Sequence, residues 1–366
     1  MERRVRIAKV EAFVLRSPLE TPVVTSFGAM RDRPAVLVRI CDEDGVAGWG
    51  EAWCNFPAPA AEHRARLVEQ VLAPLLEGVA FDDAAAVGTV LAQRTRILAI
   101  QCAEPGPFAQ SIAAIEMAAW DLTARRANMP LWKLLGGRGQ VPVYASGIHP
   151  KQAAQLVESA KAAGHTRFKI KVGFDLAADV ACVEAMASQH LAGAWMIDAN
   201  QGWDEEGAAR ALHAFAHLPL AWVEEPVAAD STAATWQRLA RLGLPLAAGE
   251  NLRGIPAFEE AGEWLQVLQP DPGKWGGIGG CLQVAALARA RSRWFCPHWL
   301  GGGVGLAFSL ALLDAHLAAG SDARGWAEVD VNPNPLRDGL IAWCDGIERG
   351  EARLSAAPGI GPEPLV

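Results

Sequence analysis

Three short apolar runs in this chain each end abruptly on an acid: WMIDAN on Asp198, LAWVEEP on Glu224 and LPLAAGE on Glu250. Successive acids are 26 residues apart. A strand, a returning helix and two connecting loops take about that much chain. The spacing therefore predicts that each acid closes one of three successive parallel strands. In a barrel of such units the carboxyl ends of the strands converge on one mouth, where active sites lie. Three carboxylates brought together repel one another and call for a neutralising cation. A hard divalent ion with oxygen ligands serves, and Mg²⁺ keeps positions open for water or substrate. Asp198, Glu224 and Glu250 are thus the expected metal ligands. The plainer alternative, three unrelated acids at loop starts, has to treat the even spacing as an accident.

The same alternation runs on both sides of this stretch. VPVYASGI, RFKIKVG, the three acid-bearing runs, WLQVLQPD, RWFCPHW and the more polar GWAEVDVN read as eight strands separated by Ala-rich amphipathic segments. That pattern predicts a parallel β/α barrel of TIM type. Ahead of it, residues 5–15 alternate as a half-buried strand. Residues 17–33 read as a loop carrying Phe27. Residues 35–41 and 46–51 read as two strands joined at Asp42-Glu43-Asp44-Gly45, a hairpin signal. A loop at 53–57 follows with Trp53 and Phe56. From 62 to 128 the period becomes helical in three segments, so the first part reads as an α+β domain. The tail, 332–366, is expected to pack back on that first domain.

Composition bounds the function. With 366 residues, 51% of them hydrophobic and 20% charged, the chain has material for a barrel and a smaller domain and is not disordered. A net charge of −8 argues against nucleic acid and anionic membranes as partners. The start, MERRVRIAKV, has no apolar stretch after its basic residues, and no apolar run has bilayer length. Seven scattered cysteines without a CxxC pair suit reduced thiols and a cytoplasmic location.

Lys169 and Lys171 alternate with Phe168, Ile170 and Val172, so both lysines face the barrel interior. Their stems are roughly 7 Å apart. At an effective dielectric near 20 their repulsion is about 2.4 kcal/mol, enough to bring a lysine within reach of general-base work at about pH 8. Asp271 ends the sixth strand and His298 lies near the end of the seventh. Adjacent strand ends let Asp271 accept a ring N–H and fix the tautomer of His298. Glu328, on the eighth strand, is expected to stay protonated near other acids and to donate to a developing oxyanion. A lysine on one side, a histidine on the other and a metal between them suit removal of a proton alpha to a carboxylate, with the enediolate oxygens stabilised by Mg²⁺, Lys169 and Glu328.

At these residues the chain resembles the enolase superfamily, and within it the mandelate racemase branch. The resemblance spans SIAAIEMAAWDLTARRANMPLWKLLGG, FKIKVG, IDAN, VEEP, AGEN, QPDPGKWGGIGG, PHWLGGGVG and AEVDVNPNPLR. By motif matching, Asp198, Glu224 and Glu250 resemble the metal ligands, Lys171 the base with Lys169 beside it, Asp271 and His298 the dyad, and Glu328 the electrophilic acid. Asn200 matches a substrate-side position. The muconate-lactonizing branch carries a base lysine where Asp271 stands, and this chain departs from it there. Glu116 stands where relatives often have Asp. The resemblance implies a modified (β/α)8 barrel, (β/α)7β, over residues 131–331. Its capping domain is 1–130, completed by 332–366. It also implies specificity loops in which Phe27, Trp53, Phe56 and Trp299 line the pocket, unless they simply pack between domains. The expected cofactor is Mg²⁺, the partner a small-molecule carboxylate, and the assembly a homo-oligomer. Dehydration of a sugar acid is the leading activity. Racemisation or epimerisation of a 2-hydroxy acid is its rival, favoured by the aromatic loops and the single tyrosine. A non-catalytic metal-stabilised scaffold is the remote alternative.

Overall fold

The structure, a computed structural model, describes residues 5–25, 28–189 and 195–366. Phe27 lies outside the described residues. The chain begins with β1 (Val5–Thr25), β2 (Gly28–Asp42) and β3 (Ala47–Ala52), and β4 (Ala80–Phe81) joins the far edge of β1, giving the order β3-β2-β1-β4. The Asp42 carboxylate accepts from the N–H groups of Asp44 and Val46 and so makes the predicted turn.

The loop expected over 17–33 is instead a β-ribbon. Pairing continues through Ser17↔Arg33 and Pro18↔Asp32 and resumes, after an irregularity, at Val23↔Met30. Past Pro22 the β-branched residues Val23, Val24 and Thr25 favour extension. Pro18 is tolerated because β4 pairs only with Val5 and Arg6, which leaves that part of β1 an edge where a missing N–H costs no ladder bond.

Helices α1 (Ala60–Leu67), α2 (Ala84–Gln101) and α3 (Pro105–Arg126) follow, matching the three helical segments read from the sequence. Helix α3 lies directly on β3. A Cβ at Gly50 would stand 2.0 Å from Ala114 O, so only glycine allows that approach.

Helix α4 (Leu131–Leu134) leads to the barrel, which runs β5 (Gln140–Ile148), α5 (Ala153–Ala162), β6 (Phe168–Lys171), α6 (Leu176–Ala187), β7 (Trp195–Asp198), α7 (Glu205–Phe215), β8 (Leu220–Glu224), α8 (Ala233–Ala240), β9 (Leu246–Ala248), α9 (Ile255–Ala261), β10 (Val267–Leu268), α10 (Gly277–Ala290), β11 (Trp294–Phe295), α11 (Gly303–Ala318) and β12 (Ala327–Asp330). Strands β5 to β11 neighbour one another in order, β12 pairs in parallel with β5, and Phe295 donates to Arg324 O on the closing side. This is the (β/α)7β barrel, with all eight expected strands present. Asp175, Asp204 and Thr232 cap α6, α7 and α8 with their side-chain oxygens, which ends each preceding loop cleanly. Tyr144, Met196, Trp222, Ala247, Val267 and Cys296 fill the barrel interior.

After α12 (Pro335–Asp338) come β13 (Gly346–Glu348) and β14 (Glu351–Arg353). Strand β14 pairs with the start of β5, and beyond it Ile360 donates to Asp121 of α3. The tail therefore touches both barrel and first domain. All seven cysteines are free, and among the described residues no helix is long and apolar enough to cross a membrane.

Glu116 of α3 ties the two parts together. Its carboxylate accepts from the Ile278 and Gly279 N–H groups in the first turn of α10 at 2.7 and 2.8 Å. Burial pushes this carboxyl from its ordinary 4.5 up to about 7, although the amides pull it down. The unfolded chain loses the proton at the lower value, so between the two values the folded state holds the extra proton. This stabilisation is complete below the ordinary value and is lost as pH rises to about 7, a change of about 3 kcal/mol. Thermal unfolding of Glu116→Gln should therefore depend less steeply on pH than wild type between about pH 5 and 7. Parallel curves for the two proteins would show that Glu116 does not titrate there.

Candidate active site

The strand register brings the expected residues to one end of the barrel. Lys171, Asp198 and Glu224 are the last residues of β6, β7 and β8 and pair in register, Lys171↔Asp198 and Asp198↔Glu224. Glu250, Asp271 and His298 lie just beyond β9, β10 and β11, and Glu328 sits in β12.

The two lysines share a face but not an environment. Lys169 is fully buried, with Nζ 2.5 Å from Glu224 Oε1, 2.9 Å from Glu328 Oε1 and 3.7 Å from Asp198 Oδ2. The Lys171 side chain is 19% exposed, and its Nζ is 2.6 Å from Asp198 Oδ2. The expectation that repulsion from Lys169 lowers Lys171 is corrected here. Burial, the largest effect, and Lys169 both act in that direction, yet Asp198 together with Glu328 and Glu224 outweighs them and holds Lys171 above its usual value. Lys169 is raised further: burial opposes its charge, but Glu224 and Glu328 more than compensate.

On the other side His298 Nδ1 is 2.7 Å from Asp271 Oδ2, as expected of the dyad. Asp271 is itself fixed, because its Oδ1 accepts from the Gly273 and Lys274 N–H groups. His298 Nε2 is 2.8 Å from Glu250 Oε2. Burial would lower the imidazole, but Glu250, Glu328 and Asp271 hold it well above its usual value. Glu250, buried but paired with His298 and with Lys274 Nζ at 2.7 Å, is held well below the carboxylate range.

Glu328 is the second correction. Burial does raise it, but the cations of Lys169, His298 and Lys171 bring it down to about 2. It is an ionised acceptor for Lys169 and the Ser146 hydroxyl, not a donor. Its Oε2 accepts no hydrogen bond among the described residues and lies 3.8 Å from His298 Nε2.

Several participants escaped the sequence reading. Gln269 Nε2 donates to Glu224 Oε2 at 2.6 Å, and Trp222 Nε1 to the same oxygen at 3.2 Å. Gln269 and Ser146 had a signal: each is a polar residue at an inward position, two from Asp271 and Tyr144 respectively. Glu225 had none, since alternation would turn it away from Glu224. Its left-handed backbone, φ +38°, redirects it to Asn251, whose Nδ2 lies 2.8 Å away. Burial, Glu250 and Asp198 push Glu225 up to about 8. Asn200, also left-handed at φ +44°, donates its backbone N–H to Asp198 Oδ1 at 2.8 Å.

Of the expected substrate-loop residues, Trp53 lies at the site's edge, its ring centroid 4.6 Å from Lys274 Nζ. Phe56 approaches the ribbon tip, where a Cβ at Gly28 would stand 3.4 Å from its ring. Trp299 is only 2% exposed. It donates to Gly302 O and packs against Gly273 and Gly305, inside the wall of the site.

Residues 9–136 match the N-terminal domain of the mandelate racemase / muconate lactonizing enzyme family, and residues 151–365 match the enolase C-terminal domain-like family. The chain belongs to the mandelate racemase/muconate lactonizing enzyme family of the enolase superfamily. A member of this family from Bordetella bronchiseptica RB50 is 46% identical in a solved structure, with 99% of this chain and 98% of that one covered at a TM-score of 0.92. A racemase from Streptomyces coelicolor A3(2), solved with bound magnesium, is 29% identical over 98% of this chain and 97% of its own, TM-score 0.85. The 3,6-anhydro-alpha-L-galactonate cycloisomerase of Streptomyces coelicolor is 34% identical over 303 residues, 80% of this chain and 82% of that protein. The curated relatives include cycloisomerases, racemases and a dehydratase, so enzymes of the superfamily to which this chain belongs are isomerases and lyases.

The family's magnesium can be tested against the residues present. Asp198, Glu224 and Glu250 come from three consecutive strand ends and offer only hard oxygen donors, as Mg²⁺ prefers. As they point here each faces a cation of the protein, and among the described residues no three His, Cys, Asp or Glu side chains are arranged to hold a metal. Carboxylate crowding is nonetheless evident. Burial pushes Glu224 up to about 7 even beside Lys169, and Glu225, buried beside Glu250 and Asp198, is pushed higher still. A divalent cation relieves that crowding, so the donor set fits the metal.

Proposed function

We propose that this enzyme removes the proton alpha to a carboxylate and then expels an oxygen from the beta carbon of a sugar acid, a dehydration where that oxygen leaves as water. The observation that carries the reading is His298, its Nδ1 held by Asp271 and the ring placed across the mouth from Lys171. Beta-elimination needs an acid at the leaving oxygen, and His298 is the group placed to supply it. Lys171 acts as the base at the alpha carbon. Asp198, Glu224 and Glu250 would hold Mg²⁺, which would supply Lewis acidity at the substrate carboxylate. Lys169 brings fixed positive charge to the enediolate oxygens from beneath, where Glu224 and Glu328 orient it. With Glu328 ionised, stabilisation of the oxyanion falls to Lys169. Relatives named for anhydrogalactonate, galactarolactone and talarate/galactarate support a sugar acid as substrate.

Racemisation of a 2-hydroxy acid is the second reading, favoured by the aromatic Trp53 at the edge of the site. A screen of mono- and diacid sugars and 2-hydroxy acids in D₂O with Mg²⁺ decides between them. A 2-keto acid product is expected. Deuterium at the alpha carbon of recovered acid, without keto product, would establish the racemase instead, and neither signal from any acid would refute both.

A further inference from the structure

The segment leaving β3 reads Glu51-Ala52-Trp53-Cys54-Asn55. Its alternate residues reach across to the two barrel loops that carry the dyad. Glu51, 1% exposed, accepts from Gly302 N–H through Oε1 at 2.5 Å and from Gly305 N–H through Oε2 at 2.9 Å. Trp53 donates its backbone N–H to Gly273 O at 3.2 Å, on the residue whose own N–H holds Asp271 Oδ1. Asn55 Nδ2 donates to Leu300 O at 2.6 Å. The two loops are joined by His298 N–H to Pro270 O at 3.1 Å. The fit is close. A Cβ on Gly302 would lie 2.8 Å from Glu51 Oε1, and one on Gly305 would lie 1.9 Å from the Trp299 ring. The glycine run after Trp299 therefore lets a carboxylate of the first domain and the Trp299 ring seat against the first turn of α11.

We propose that Glu51 and Asn55 are positioning residues for proton transfer by His298. Glu51 holds the start of α11 by two hydrogen bonds from backbone amides, and Asn55 holds the residue two beyond the histidine. Together with the Trp53 N–H they set the imidazole against Asp271 and toward the substrate from a domain that contributes neither member of the dyad. A misplacement of about 1 Å at such a group costs on the order of a hundred-fold in rate. The inference rests on the reading of His298 as the acid opposite Lys171.

Two variants of the full-length protein test it. Glu51→Gln keeps the shape but offers one acceptor to two amides. Asn55→Ala removes one hydrogen bond and leaves the buried carboxylate in place, so it decides the matter if the first variant does not fold. The first readout, in protein without substrate, is the downfield Nδ1 proton of ¹⁵N-labelled His298, assigned by its loss in His298→Asn. The second, with Mg²⁺ and an acid that the wild type turns over, is 2-keto acid formation, which needs His298, compared with alpha-proton exchange in D₂O, which needs Lys171. Both variants should shift or broaden the Nδ1 resonance and slow keto acid formation on the order of ten-fold, while alpha-proton exchange keeps its rate. An unmoved resonance with wild-type rates of both processes, or an equal loss of both, would overturn the proposal. If the wild type exchanges no acid at all, the functional reading fails, and the resonance still decides whether this segment orients His298.

Discussion

Replacing His298 by Asn is expected to abolish turnover while sparing exchange of one alpha proton. Asn keeps a polar group near Asp271 and Glu250 but cannot carry a proton to a leaving oxygen. The base lies elsewhere: Lys171, 2.6 Å from Asp198 across the mouth, is untouched by the change. The variant should therefore still form the enediolate and return a deuteron from the Lys171 side, with turnover down about 10²- to 10⁴-fold, the usual worth of a positioned acid. Lys171→Ala should do the reverse and remove exchange on its own face. Asp271→Asn should resemble His298→Asn in a weaker form, because it releases the ring without deleting it. The measurement is NMR of alpha-proton exchange and product formation in D₂O. Wild-type turnover in the histidine variant would make His298 structural and remove the elimination mechanism with it.

Replacing Asp198 by Asn, or stripping divalent metal, should be equally severe. Asp198 closes β7 between Lys171 and Glu224 in the register. Its loss removes one of three anionic oxygen donors and leaves Lys171 without its partner. Activity should vanish in excess EDTA and return with Mg²⁺ in the wild type only. Metal binding also has a readout free of catalysis. Mg²⁺ at about a hundred times its dissociation constant stabilises a folded protein that binds it by about 2.7 kcal/mol. That upward shift in melting temperature should appear in the wild type and be lost in Asp198→Asn. Full activity with EDTA present would rule out the metal assignment.

These two experiments probe what was most and least legible in the chain. Strand ends were legible because they rest on local pattern. Short apolar runs, separated by Ala-rich amphipathic segments and ended at even spacing by Asp198, Glu224 and Glu250, leave little besides a parallel barrel, and the eight strands appear where they were read. The pairing of Asp271 with His298 was legible for the same reason, since adjacent strands have adjacent ends.

Protonation was not legible, because it depends on which charges meet through space. Lys171 was expected to be lowered by Lys169 and is raised by Asp198. Glu328 was expected to be protonated and is ionised by Lys169, His298 and Lys171. Glu225 joins the site only because its backbone turns left-handed after β8. The ribbon over 17–33 forms because its two halves find each other, despite a proline that reads as a loop. The sequence alone determined the barrel, its order of strands and the residues at its mouth, because each follows from patterns a few residues long. Only the tertiary structure decided which of those residues carry protons and which segment of the first domain holds the dyad loops, because electrostatic energy and hydrogen bonding depend on distances between groups far apart in the chain.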